Sequence, residues 1–153
     1  MKRLLRSLPA LALALPACGE SFSYDANSFF PEDWQDSYVK KFDCKESVTH
    51  GNDHVIVYVS PDAEAAYADR TTEMPTGSVI LKEQYSDSSC SDLTAYTVMR
   101  KLEAGANTEQ GDYEWQRVES SGEISVSGDA TISNCTSCHT NCEGGDFLCE
   151  PAP

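Results

Sequence analysis

Residues 78–102, SVILKEQYSDSSCSDLTAYTVMRKL, decide how the chain folds. SVILKEQY (78–85) and TAYTVMRKL (94–102) are rich in β-branched and aromatic residues and read as strands, and SDSSCSD (86–92) between them is a short polar connection. HVIVYVS (54–60) precedes them as a strand, and YEWQRVES (113–120) follows as another, with Tyr113, Trp115 and Arg117 on one face. GEISVSG (122–128) makes a fifth. PDAEAAYAD (61–69) opens with Pro and acids, the pattern of a short helix, and EMPTG (73–77) and EAGANTEQGD (103–112) are turn and loop. Upstream, PEDWQDSYVKKF (31–42) runs from acids to cations, and Trp34, Tyr38 and Phe42 recur every four residues, which predicts a helix with one aromatic stripe. Consecutive strands with hairpin-length links give an α+β, mainly β fold: an antiparallel sheet of about five strands, two or three short helices, and helices covering one face.

The chain opens MKRLLRSLPALALALPACGE, with Lys2, Arg3 and Arg6 ahead of an apolar run from Leu8 to Leu15. That run is too short to span a membrane and has the layout of an export signal. LPAC (15–18) resembles the lipobox of bacterial lipoproteins, with Cys18 as the lipid acceptor; cleavage beyond Cys18 is the competing reading, and Pro16 is unusual in such a box. The expected organisation is a signal over 1–17, a tether over 18–30 and one domain over 31–153, located in the periplasm and attached to a membrane only through the lipid. Across the whole chain 11 Lys and Arg face 25 Asp and Glu, a net charge of −14, and the signal holds three of those cations and none of the acids. Such a field repels nucleic acid and anionic lipid and favours small neutral or cationic partners.

NCTSCHTNC (134–142) carries the chemistry. Residues 135–139 spell Cys-Thr-Ser-Cys-His, the pattern of c-type haem attachment: two cysteines three apart can form thioethers to the haem vinyl groups, and the imidazole of the next residue can bind the iron. A zinc site built on Cys135, Cys138 and Cys142 lacks an obvious fourth ligand. A thioredoxin-like dithiol belongs after the first strand of a βαβ unit rather than near the end of a chain. With Cys18 assigned to lipid, and Cys135 and Cys138 to haem, Cys44, Cys90, Cys142 and Cys149 remain. Three pairings are open to them; we favour Cys142–Cys149, closing the tail under the haem, and Cys44–Cys90, pinning a helix end to a hairpin. A sixth iron ligand would have to come from upstream, where Met74, Met99, His50 and His54 are the candidates. Methionine in a turn or strand is more often core filler, so an open iron position is expected.

Taken in order, DWQDSYVKKF, HG (50–51), VIVYVSPDAEAAYA, MPTGSVILKEQ, YTVMRKLEAG, YEWQRV and CTSCH resemble the cytochrome P-460 and cytochrome c′-β family over residues 31 to about 147. The resemblance implies an antiparallel β protein with one covalent haem c near the C-terminus, His139 as proximal ligand, and typically a homodimer. It implies an open iron that binds or oxidises small nitrogen compounds, hydroxylamine or NO, with electrons leaving to an external acceptor. In the hydroxylamine-oxidising members a lysine is bonded to the haem; Lys82 of SVILKE stands at that place, with Lys101 of VMRKLE as competitor. The gas-binding members lack the bond, and a simple electron carrier would need Met74 or Met99 on the iron. Four extra cysteines and YVSPD (58–62) depart from the family pattern.

Overall fold

The computed structural model describes residues 24–47, 50, 53–128 and 132–149. The expected signal and residues 18–23 of the expected tether, Cys18 included, lie outside the described residues, as does Gly51 of the HG pair. Six strands, β1 (Val39–Ser47), β2 (Asp53–Val59), β3 (Val79–Tyr85), β4 (Leu93–Lys101), β5 (Tyr113–Glu119) and β6 (Ile124–Gly128), form one sheet in sequential order. Every neighbouring pair is antiparallel. Three α-helices accompany it: α1 (Trp34–Ser37), α2 (Glu64–Asp69) and α3 (Ser133–His139). Among the described residues no helix is long and apolar enough to cross a membrane.

The helix expected over 31–42 is one turn only. The chain is extended at Tyr38 and becomes β1 at Val39, which is why the sheet has six strands rather than five. Pairing with β2 outweighs the four-residue aromatic spacing. β1 also shifts register between Lys40 and Phe42 and again between Phe42 and Lys45, which erases the two-residue alternation that marks a strand. The expected stripe is divided as a result: Trp34 is fully buried on one side of the sheet, and Phe42 packs against the cluster on the other.

Helices and turns cover both faces, not one, and all seven residues of β3 are buried. Strand pleating sorts the residues. Val55, Val57, Val59, Ile80, Met99, Tyr113 and Trp115 belong to a cluster with Ala63, Ala66 and Tyr67 from the α2 region and Phe147 and Leu148 from the C-terminal segment. We call this the front. Val79, Leu81, Tyr96, Val98 and Val118 form the back, with Phe30 and Trp34. Lateral pairing lines up Val57, Lys82, Thr97, Arg117 and Val126 as a row across β2 to β6, and Val59, Ile80, Met99, Trp115 and Gly128 as the next.

Both favoured disulfides are formed, Cys44–Cys90 and Cys142–Cys149, with Cα separations of 5.8 and 5.0 Å. Because residue 44 lies in β1, the first ties an edge strand, not a helix end, to the β3–β4 link. Asp87 organises that link: its carboxylate accepts the backbone N–H groups of Ser89, Ser91 and Asp92 at 2.8–3.1 Å.

Candidate functional site

α3 carries the Cys-Thr-Ser-Cys-His stretch. A three-residue separation puts two side chains on the same helix face, so Cys135 and Cys138 are presented together, and neither is in a disulfide. Cys135 is half-buried and Cys138 exposed; burial, with Cys138 beside it, raises the Cys135 thiol pKa above its ordinary value. His139, one residue further on, turns inward and is buried, its ring 6.2 Å from that of Trp115. Its Nδ1 is 2.7 Å from the Phe147 carbonyl. A carbonyl only accepts, so Nδ1 carries the proton and Nε2 keeps its lone pair. Burial lowers the His139 pKa; the bond to Phe147 opposes that, and nearby Lys82 adds to it. The imidazole is therefore neutral near pH 7, the form that binds metals.

A cavity of about 320 Å³ lies on the front of the sheet, lined by Cys135, Cys138, His139, Lys82, His50 and Met99 among others. The row containing Lys82, Thr97 and Arg117 and the row containing Ile80, Met99 and Trp115 supply its wall. Thr97 Oγ1 and Trp115 Nε1, on two of the lining residues, are buried with no hydrogen-bond partner among the described residues. Native chains rarely leave such groups without a partner, and a bound polar group would supply one. Lys82 is only 7% exposed, and burial first, then the charges of Lys45 and Arg70, bring its pKa down to about 8. The strand periodicity leaves open whether Lys82 faces solvent or a site; the structure turns it into the cavity.

Lys101 does not share that place. Its ammonium donates to Asp146 Oδ1 at 2.9 Å and to the Gly111 carbonyl at 2.8 Å, and it borders a separate polar cavity. The four upstream iron-ligand candidates also separate. Met74 is core, with its N–H on Asp146, and His54 alternates with Val55 and so belongs to the other strand face. Met99 and His50 line the cavity. His50 is not a surface residue: burial, then Lys82 and His139, draw its pKa down to about 4, and Ser47 Oγ meets its Nδ1 at 2.8 Å. Trp115, Thr97 and the Asp146–Phe147 turn are site components that the sequence reading missed. Trp115 and Arg117 were legible as sharing a strand face, but nothing in the pattern linked that face to α3.

Two free thiols on one helix face, a buried neutral imidazole with a bare Nε2, and a cavity beside them containing orphaned polar groups make a donor set that fits a covalently held haem. Among the described residues no group of three His, Cys, Asp or Glu is gathered that would hold a metal ion directly. Comparison with protein families matches residues 31–149 to Cytochrome P460. A comparison with curated proteins finds no match. The chain belongs to the cytochrome P460 family and is, with that family, a haem cytochrome.

Proposed function

We propose that the protein is an exported cytochrome of the P-460 type, carrying one haem c on Cys135 and Cys138 with His139 on the iron, that oxidises small nitrogen compounds, hydroxylamine in particular. The observation that carries this reading is the meeting of two free thiols, an imidazole fixed as the Nδ1–H tautomer and Lys82 around one cavity. Bound haem supplies a redox-active iron that takes electrons from such a compound and passes them to an external acceptor.

The chain holds, orients and encloses that group. Cys135 and Cys138 anchor it from one helix face, and the Phe147 carbonyl fixes how His139 is turned. Buried Ile80, Met99 and Trp115 keep water from the adjoining wall. Lys82 is assigned the haem bond in preference to Lys101, because it lines the cavity and its lowered pKa raises the share of unprotonated amine, the form in which nitrogen can make a covalent bond. Export to the periplasm with a lipid on Cys18 draws support from the N-terminal pattern and from two formed disulfides, which persist in oxidising compartments. The assembly we assign is a homodimer, on the family resemblance.

A second reading is a gas-binding cytochrome in which Lys82 stays unbonded; the apolar wall at Ile80 and Met99 suits a neutral diatomic such as NO. An electron carrier, the third, would place Met99 on the iron. One absorption spectrum of the reduced protein separates them. A broad, red-shifted Soret band that becomes an ordinary c-haem band in Lys82→Ala, with haem still attached and hydroxylamine oxidation lost, is expected. Identical five-coordinate spectra from both proteins would give the gas binder, and a sharp low-spin band the carrier.

A further inference from the structure

The segment after α3 bends in a way that tail packing alone does not require. Asp146 and Phe147 are consecutive residues in the left-handed region, φ 52° and 60°, a conformation that L side chains resist. Three donors hold the Asp146 carboxylate. Oδ2 accepts the Met74 N–H and the Tyr113 hydroxyl, each at 2.9 Å, and Oδ1 accepts the Lys101 ammonium at 2.9 Å. Lys101 reaches across to the Gly111 carbonyl at 2.8 Å, and the Phe147 ring sits where a Cβ on Gly111 would come within 2.2 Å of it. The Cys142–Cys149 disulfide brackets the turn, and Phe147 N–H donates to the Cys142 carbonyl at 3.0 Å. All of this delivers one group, the Phe147 carbonyl, onto His139 Nδ1 at 2.7 Å.

We propose that the Lys101–Asp146–Tyr113 cluster is a positioning device for His139, holding the Phe147 carbonyl on the imidazole and so setting how strongly Nε2 donates to iron. This rests on the reading that His139 binds the haem iron. A partner that accepts the Nδ1 proton fixes the ring and raises the basicity of the ligating nitrogen. A more basic axial ligand stabilises the oxidised iron, and the reduction potential is lowered. None of the three residues lines the front cavity, so all act through Phe147 and none touches the reacting atoms.

The test uses the haem-loaded protein and its Asp146→Ala and Lys101→Met variants. Intact mass, midpoint potential and solvent exchange of the hyperfine-shifted His139 Nδ1 proton are measured on each. We expect one covalent haem in all three, a midpoint potential moved upward in both variants, and Nδ1 proton exchange faster by about tenfold. Lys101→Arg, which keeps a cationic donor, should return the potential toward the wild-type value. A lowered melting temperature with unchanged potential and exchange would make the cluster a structural clamp and overturn the inference, leaving the haem assignment intact. Absence of covalent haem from the wild type would instead overturn the assignment beneath it. Tyr113→Phe removes a single hydroxyl donor and carries the same readouts should the other two variants fail to accumulate; an unchanged potential there also overturns the proposal.

Discussion

On the back of the sheet, Leu81, Val98 and Val118 meet Phe30 and Trp34, whose rings stand edge to face with each other at 6.3 Å. On the front, Ile80, Met99 and Trp115 belong to the same three strands, yet beside them the packing opens into a cavity of about 320 Å³. The polar groups differ in the same sense. At the back, Tyr24 donates its hydroxyl to Tyr96 at 2.9 Å, and Gln116 is bonded through both ends of its amide, to Phe29 N–H and to the Asn27 carbonyl. At the front, Thr97 and Trp115 hold polar atoms with no partner among the described residues, and burial lowers the pKa of the Lys82 amine to about 8. Alternate residues of one strand thus serve separate ends: Val79 and Leu81 close the fold while Ile80 and Lys82 shape a site. Stability and haem chemistry should therefore respond to different substitutions.

The largest test of that separation is Trp34→Ala. Removing a fully buried indole costs about 5 kcal/mol, read by denaturant unfolding, while the haem absorption of the folded protein should not move. A moved haem band would mean that the faces are coupled. Replacing Cys44 and Cys90 by Ser opens a closed loop with a sequence separation of 46 and should cost about 4 kcal/mol, again without a spectral change.

Lys82 gives the converse case. In the folded chain its pKa is about 8, against 10.5 for the ordinary side chain. Between those values the unfolded chain binds more protons, so stability rises with pH, and the burden is fully present below pH 8. An amine bonded to the haem cannot titrate, so unfolding of the haem-loaded protein followed from pH 7 to 10 should show a flat difference between wild type and Lys82→Met. A wild type that gains up to about 3 kcal/mol relative to the variant would mark Lys82 as an unbonded, titrating amine and give the lead to the gas binder. The smallest effect belongs to Tyr24→Phe, which removes the hydroxyl that donates to Tyr96 and accepts from Trp34 Nε1, and should cost about 1–2 kcal/mol with an unchanged spectrum.

The strands β2 to β6 were legible because their alternation is regular and their links are short; Tyr113, Trp115 and Arg117 share the face that the pattern assigned to them. β1 was not, since its two register shifts hide the alternation and Trp34, Tyr38 and Phe42 imitate a helix. Cysteine arithmetic left three pairings of Cys44, Cys90, Cys142 and Cys149, and the pairing favoured from their places in the sequence is the one formed. At the site, the Cys135 and Cys138 thiols and His139 were visible as a local motif. His50 was named among the candidate iron ligands, but "HG" in a polar loop carries no sign that tertiary packing would bring it, and not His54, to the cavity. Lys101 competed with Lys82 because strand position cannot report what faces a side chain, and the answer depended on Asp146, 45 residues away. The Asp146–Phe147 turn left no mark in the sequence at all; only its hydrogen bonds and backbone angles identify it.

The intact mass of the folded protein, followed by mass analysis of the peptide spanning residues 132–149, tests the central claim most directly. The account predicts the mass of one haem on the chain, carried by that peptide through both Cys135 and Cys138, with Cys142 and Cys149 joined to each other. A haem-free mass, or a peptide in which Cys135 and Cys138 are bonded to each other, would contradict it.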